Sequence, residues 1–184
     1  FSEQTASIPA PVLHGFTAER GIYEDASFWN PSWTLAEGAV QTTTVGDAAV
    51  SFDAIIGRGE LLAPESHAAL IAKDLVGFGA PLDGCRSCHT LDDRFAYGLG
   101  VFLRGDTVAQ TPLFGGYSGA VITLPASRAT DGRSLTVAVA VTLQEDAVAD
   151  WQGTIVNRAD ELAIAIAQQL RPDADIPDFS HPDA

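Results

Sequence analysis

Methionine is absent from this 184-residue sequence, and lysine occurs once, as Lys73. The lack of methionine removes the commonest second axial ligand of a c-type haem. The scarcity of lysine ties any lysine-dependent chemistry to a single position. Long apolar runs are missing as well. None approaches the roughly 20 residues of a bilayer-spanning helix, so we expect no membrane insertion.

Positive charge is also scarce. The chain has 10 basic residues against 24 acidic ones, which gives a formal net charge of −14. Such a surface repels phosphate backbones and anionic lipids, so we expect no nucleic-acid partner. The hydrophobic content of 46% is that of a globular protein, and the length fits a single unit spanning residues 1–184.

Changes in hydrophobic period divide this unit into regions and predict an α+β fold. Thr44 is a candidate cap for a first helix, and Pro64 fits the first turn of a second. The regions are an irregular loop region at 1–33, helices and a cysteine loop at 34–94, three antiparallel strands at 95–145, a C-terminal helix at 147–170 and a tail at 171–184.

The three predicted strands are Phe95–Leu103, Tyr117–Leu124 and Leu135–Leu143. We expect them to pair consecutively, the last two as a hairpin around the turn at Asp131-Gly132. The last strand alternates a face of large apolar side chains with a face of small ones, against which a helix can pack closely. The other sheet face and at least one edge are then left without a partner. The C-terminal helix is expected to pack on the sheet through Ile155, Ala159, Leu162, Ile166 and Leu170.

Both cysteines lie in one motif, Cys85-Arg86-Ser87-Cys88-His89, which fits the attachment pattern of a c-type haem. The polar surroundings of this loop and the missing methionine count against haem. A zinc site would need two further ligands, and a redox pair would need Cys85 at a helix N-terminus. We favour a local disulfide between Cys85 and Cys88, which indicates an exported protein of the cell envelope or exterior. No cofactor is predicted.

The remaining candidates for chemistry are dispersed. His14, His67, His89 and His181 belong to different elements, so we predict no metal site. Ser118 lacks the first glycine of a G-x-S-x-G elbow and lies inside a strand, so we interpret it as a packed strand serine.

Several segments, taken in order, resemble one known family. They are His14-Gly15-Phe16, Trp29-Asn30-Pro31-Ser32-Trp33, Ala36–Thr43, Gly59–Ser66, Tyr97–Val101, and Gly116–Val121 with Leu124-Pro125. The family that they resemble is the serine β-lactamase-related hydrolases: class C β-lactamases, D-alanyl-D-alanine carboxypeptidases and related esterases. The resemblance covers residues 12–145 and implies the back half of a β-lactamase/transpeptidase-like fold.

The resemblance also implies where the chemistry lies. In this family the nucleophile is a serine in an S-x-x-K helix, upstream of the segments resembled here. Residue 70, three before Lys73, is a leucine, so this sequence has no S-x-x-K and we predict no catalytic residue in it. The first residue, Phe1, and the unpartnered sheet agree with an upstream half, in the same protein or in a second chain, that completes the sheet.

The family's third motif is a basic residue, then Thr or Ser, then Gly, on the strand that lines the site. An ungapped alignment from Gly116-Tyr117 gives four substrate-binding positions: Gln110, Thr111, Pro112 and Leu113. By the resemblance, Thr111 would bind a substrate carboxylate and the backbone N–H of Leu113 would be an oxyanion-hole donor. Gln110 is not a cation, and Pro112 stands in place of the glycine. A shifted alignment puts Phe114-Gly115-Gly116 on the motif and likewise lacks the cation.

Two functions follow from this pattern. In the first, the chain is the C-terminal portion of a serine hydrolase that cleaves amide or ester bonds of a small molecule or peptide, active only with its upstream half. In the second, the fold has lost its chemistry and serves as a binding or scaffolding protein in the cell envelope. The residues at positions 110 and 112 favour the second, and the well-kept framework favours the first.

Overall fold

The computed structural model describes residues 8, 10–18, 20–29, 42–83, 88–142 and 157–178. This part of the chain is α+β, as predicted, with a five-stranded antiparallel sheet and a C-terminal helix. Its helices are α1 (Val45–Phe52), α2 (Pro64–Leu70) and α3 (Arg158–Leu170). Its strands are β1 (Phe16–Thr17), β2 (Glu24–Asp25), β3 (Phe95–Tyr97), β4 (Phe102–Arg104), β5 (Thr107–Gln110), β6 (Leu113–Phe114), β7 (Tyr117–Leu124) and β8 (Leu135–Thr142).

The two short helices begin where the sequence predicts. The Thr44 hydroxyl accepts a hydrogen bond from the Asp47 N–H at 3.0 Å, which caps α1. Pro64 occupies the first turn of α2, where its missing N–H removes no helical hydrogen bond. Helix α1 runs directly into a π-helical turn, Asp53–Gly57, which buries Ile56 beneath the sheet.

Strands β5 and β6 form one line along the same side of β7. Gln110 pairs with Val121, and Leu113 pairs with Ser118. From the first pair to the second, the residue number rises by three on the β5–β6 side (110 to 113) and falls by three on β7 (121 to 118). The register is therefore the same for both strands. The sheet order is therefore β3, β4, β5 with β6, β7 and β8, and the line is interrupted only at Thr111 and Pro112.

The predicted strand Phe95–Leu103 is wrong, because this segment is a tight hairpin of β3 and β4. At Gly98 a side chain would overlap the Leu70 carbonyl, and Gly100 has a φ of 77°, so these glycines mark a turn. The expected pairing of the first and second predicted strands is wrong for a related reason. Strand β5, which the proline at position 112 hid from the sequence analysis, lies between β4 and β7.

The hairpin of β7 and β8 is confirmed. The two strands pair in register from Leu124 with Leu135 to Tyr117 with Thr142. Gly132 has a φ of 69° in the connecting turn, as the Asp-Gly pair predicts. Residue 143, the predicted end of the last strand, lies outside the described residues.

Helix α3 begins later than predicted and buries a different face. Asn157 is extended, with φ −79° and ψ 95°, and caps a helix that starts at Arg158; residues 147–156 lie outside the described residues. Three of the residues predicted to be buried are exposed: Leu162 (49%), Ile166 (41%) and Leu170 (57%). The buried face consists of Ala159, Asp160, Ala163, Ile164 and Ala167.

The sizes of the facing side chains explain this reversal. The sheet presents Ile122, Val137 and Val139 to α3, which is the large face of the hairpin. A close-packed core matches large side chains with small ones, so alanines of α3 face them and its leucines turn outward. The small face of β8 lies on the opposite side, where α1 packs.

The sheet face that the sequence analysis left without a partner is covered. Leu103 and Val108 pack there against Ile56 from the turn after α1. Phe52, Ile55, Leu70 and Ile71 surround this second core. The outer edge of β8 pairs with no strand in the described part of the chain.

The segment after α3 returns to the sheet instead of fraying. Ile176 is buried in the core under α3, and the Gln168 amide donates to its carbonyl at 2.8 Å. Residues 179–184, the rest of the predicted tail, lie outside the described residues.

An ion pair joins α3 to the middle of the sheet. The Arg104 guanidinium donates to both carboxylate oxygens of Asp160, at 2.8 and 2.9 Å, and both side chains are almost fully buried. Burial raises the pKa of Asp160 above its ordinary value, and the Arg104 charge opposes that rise only in part. The pair fixes the first turn of α3 against β4.

Candidate functional site

The four residues predicted to bind substrate lie consecutively along the β5–β6 line. Gln110 is the last residue of β5, and Leu113 is the first of β6. Thr111 and Leu113 are partly exposed, and Pro112 is exposed. They line the surface next to the turn that leads into β7.

A two-residue turn fixes the hydrogen-bonding pattern of this strand. Gly115 and Gly116 have φ values of 56° and 80°, the geometry of a type I′ hairpin turn, between the paired residues Phe114 and Tyr117. The Gly119 N–H donates to the Pro112 carbonyl at 2.8 Å. Residues along an antiparallel strand alternately face the partner and turn away from it. The N–H of Leu113 therefore points away from β7.

On the side to which this N–H points, the strand next to β5 does not extend as far as Leu113. Strand β4 pairs with β5 only as far as Phe102 with Ala109, and the chain then turns away at Gly98–Val101. Within the described residues, no strand lies opposite Leu113 on that side. A backbone donor on such a free edge can bind a carbonyl or oxyanion oxygen of a ligand.

Gln110 is held by its own neighbourhood. Its side-chain amide donates to the Gly100 carbonyl in the turn between β3 and β4. The position where the resembled family has a cation therefore carries a neutral amide engaged with the protein.

Asn157 joins the site strand to α3, and the sequence analysis did not single it out. Its Oδ1 accepts hydrogen bonds from the Asp160 N–H at 3.1 Å and the Ser118 hydroxyl at 2.5 Å. Its Nδ2 lies near three backbone carbonyl oxygens, at 3.1 Å (Gly119), 3.2 Å (Thr111) and 3.5 Å (Pro112). The signal that could have found it is an asparagine directly before a helical stripe, typical of an N-cap.

Ser118 is fully buried, and its hydroxyl also accepts from the Ala159 N–H at 3.2 Å. It thus joins β7 to the start of α3, as the interpretation of a packed strand serine requires. It is not a free nucleophile.

A second polar cluster anchors the β1–β2 ribbon beside the Gly115-Gly116 turn. His14 Nδ1 lies 2.7 Å from Asp25, and the Tyr117 hydroxyl lies 2.7 Å from that of Ser27. Burial disfavours the charge on Asp25, but hydrogen bonds from the Ser27 hydroxyl and N–H, and from His14, outweigh it, so the pKa of Asp25 is lowered. The Ser27 hydroxyl also accepts from the Gly15 N–H at 2.9 Å. The Ser27 hydroxyl is therefore bonded to Tyr117 and Gly15, which gives the cluster a structural role. In a catalytic Ser-His-Asp arrangement the serine hydroxyl would instead be hydrogen-bonded to the histidine.

Two further expectations concern metal and membrane. Among the described residues, no three His, Cys, Asp or Glu side chains come close enough to hold a metal ion. No helix in the same residues has the length and apolarity to cross a bilayer. Cys85 lies outside the described residues, so its disulfide with Cys88 stays a prediction.

Comparison of the chain with protein-family models, with curated proteins and with solved structures gives no match.

Proposed function

We propose that this chain supplies the substrate-binding strand of an exported serine hydrolase related to β-lactamases and D-alanyl carboxypeptidases. The observation that carries this proposal is the Leu113 N–H, which points to the open edge of β6 at the position where the resemblance requires an oxyanion donor. The nucleophile would come from residues outside these 184, because the sequence contains no S-x-x-K.

In this function the Leu113 N–H stabilises the negative charge that develops on the carbonyl oxygen of an amide or ester under attack. A second donor would be the N–H of the absent serine. The extended backbone from Gln110 to Leu113 would align a small-molecule or peptide substrate along the sheet edge. The partner that brings the serine would be an upstream half of the protein or a second chain.

The alternative is a binding or scaffolding protein of the cell envelope that keeps this edge and lacks the chemistry. Two observations favour it. The Gln110 amide is occupied by the Gly100 carbonyl, and the ring of Pro112 projects from the strand where the family has glycine. Both features weaken the recognition of a substrate carboxylate at this strand.

The deciding experiment compares the 184-residue chain alone with the same chain joined to, or mixed with, its upstream polypeptide. Each sample is incubated with a chromogenic cephalosporin, a p-nitrophenyl ester and an acylating active-site probe. The proposal expects no labelling of the chain alone and labelling of an upstream serine in the assembled protein. Labelling of a serine within these 184 residues would overturn it, and tight ligand binding without any turnover would favour the scaffold.

A backbone variant tests the role of Leu113 in the assembled protein. Leu113→Pro removes the open N–H without removing a hydrogen bond to β7, and Leu113→Ala, the matched control, keeps the N–H. We expect kcat to fall by about 10²–10³ for Leu113→Pro, as for other lost oxyanion donors, and only a few-fold for Leu113→Ala. Equal losses in both variants would mean that the side chain matters and the N–H does not.

A further inference from the structure

Pro112 creates a gap in the hydrogen-bond ladder of the site strand. Since the Gly119 N–H donates to the Pro112 carbonyl, the nitrogen of residue 112 belongs to the same ladder ring and faces the Gly119 carbonyl. Proline has no N–H to give. An unpaired backbone carbonyl inside a sheet is costly, which is why proline is rare within sheets.

The Asn157 side chain fills this gap from the α3 side. Its Nδ2 lies 3.1 Å from the Gly119 oxygen, the acceptor that residue 112 cannot serve, and 3.2 Å from the Thr111 oxygen. The orientation of the amide is fixed by chemistry. The carbonyls can only accept, whereas the Asp160 N–H on the other side can only donate.

We propose that Asn157 is a positioning residue for the site strand. It stands in for the missing ladder donor and holds Thr111 and Pro112 in line, so that the next N–H, that of Leu113, stays aimed at the open edge. Its consequence for catalysis rests on the function proposed above, but its consequence for the strand does not.

The two roles of Asn157, capping α3 and bonding the strand, can be separated by substitution. Asn157→Ser keeps a side-chain oxygen suited to the N-cap and loses the amide donor. Asn157→Asp keeps the shape and the cap, but it turns a carboxylate oxygen toward the three carbonyls. A residue that only caps would tolerate aspartate. We expect Asn157→Asp to be the more damaging variant.

The test is a double-mutant cycle between positions 112 and 157, in which the stability of each variant of the 184-residue chain is measured by chemical denaturation. Pro112→Ala restores an N–H that can serve the Gly119 carbonyl. We expect Asn157→Ser to lower the folding equilibrium constant about 10-fold in the native background. In the Pro112→Ala background the same substitution should lower it by no more than about 3-fold. If Asn157→Ser leaves too little folded protein to measure, the Pro112→Ala pair still tests the proposal. The Gly119 amide, which donates to the Pro112 carbonyl, should then lose no more than about 3-fold of its protection from hydrogen exchange when Asn157 is replaced by serine.

Thr44→Ala is the matched control, because it removes a helix cap whose hydrogen bond, from the Asp47 N–H to the Thr44 hydroxyl, involves neither Pro112 nor the site strand. Its effect should be the same in both backgrounds. An effect of Asn157→Ser that is also the same in both backgrounds would overturn the proposal, as would an Asn157→Asp variant as stable as the native chain.

Activity separates this proposal from the hydrolase itself. In an active assembled protein, Asn157→Ser should lower kcat about 10-fold or more with little change in KM, since the oxyanion donor is displaced and the binding surface stays. If the stability cycle shows coupling between positions 112 and 157 but no assembly hydrolyses a substrate, the positioning role of Asn157 is supported and the proposed hydrolase function is contradicted.

Discussion

The carboxylate of Asp173 ties the segment after α3 to the turn between β7 and β8. It receives hydrogen bonds from Arg171 and from the Thr130 hydroxyl, and together they lower its pKa to about 2. The folded protein therefore binds a proton at this site less readily than the unfolded chain. The resulting stabilisation is present above pH 3.8 and is lost as the pH falls toward 2.

This shift predicts a pH-dependent difference between the native chain and Asp173→Asn. At pH 6 the native chain should have the higher urea midpoint, and the difference between the two midpoints should shrink to about a third by pH 2.5, because the folded carboxylate, with its pKa of about 2, is then partly protonated. Measuring both proteins at both pH values removes the contribution of the other carboxylates. A difference in urea midpoint that stays constant with pH would show that the charge of Asp173 does not contribute to stability.

Some features of single residues could be predicted from the sequence and others could not. Thr44 and Pro64 were placed correctly, because a cap is a signal confined to a few neighbouring positions. Asn157 was passed over as helix interior, because its main partners, Thr111 and Gly119, lie about 40 residues away. The positions 110–113 came from a resemblance. Only the register of the sheet shows which of their N–H groups face outward.

At the scale of elements, the hairpin of β7 and β8 followed from its alternation and its Asp-Gly turn. Strand β5 did not, because Pro112 argues against a sheet and the donor that compensates for it is far away in sequence. The buried face of α3 was also wrong, since the leucine stripe is the more apolar one. The choice between its faces depends on the size of the side chains that β8 presents, which the helix sequence alone does not contain.

The Gly115-Gly116 turn predicts a sharp difference between two neighbouring substitutions. Both residues have positive φ, so alanine at either position carries a cost of about 1–2 kcal/mol. At Gly115 the added carbon meets open space, whereas at Gly116 it overlaps the backbone of Phe16. We expect Gly116→Ala to lower the free energy of unfolding by about 3 kcal/mol or more, because a steric clash is added.

Gly115→Ala serves as the control from the same turn. Chemical denaturation gives the two free energies, and limited proteolysis of the β1–β2 ribbon shows whether Gly116→Ala releases it from the turn. Equal costs for both variants would mean that the ribbon yields freely to the added carbon.

At the scale of the whole molecule, the outer edge of β8 is eight residues long and has no strand partner in the part of the chain that the structure describes. Such an edge is a template for another strand. The upstream half of the proposed hydrolase would cover it. Without that half, the 184-residue chain should self-associate with rising concentration.

The ladder pattern provides a clean way to block this edge. Gly119 uses its own N–H on the β6 side, so its partner on β8, Ala140, directs its N–H outward. Ala140→Pro removes an outward donor, whereas Val139→Pro removes one that β7 uses. We expect Ala140→Pro to stay folded and to reduce association in sedimentation velocity, and Val139→Pro to destabilise the hairpin. Undiminished association of Ala140→Pro would place the contact elsewhere.

The alanine face of α3 makes the candidate site sensitive to volume at a distance. Ala159, Ala163 and Ala167 have essentially no exposed surface, so a larger side chain at any of them finds no void and must lift the helix from the sheet. Asn157 is the cap of that helix and contacts the Thr111 and Gly119 carbonyls. The distance between α3 and the sheet therefore determines where Asn157 holds the strand from Gln110 to Leu113. One methyl group in the middle of the helix can misalign a backbone donor that it never touches.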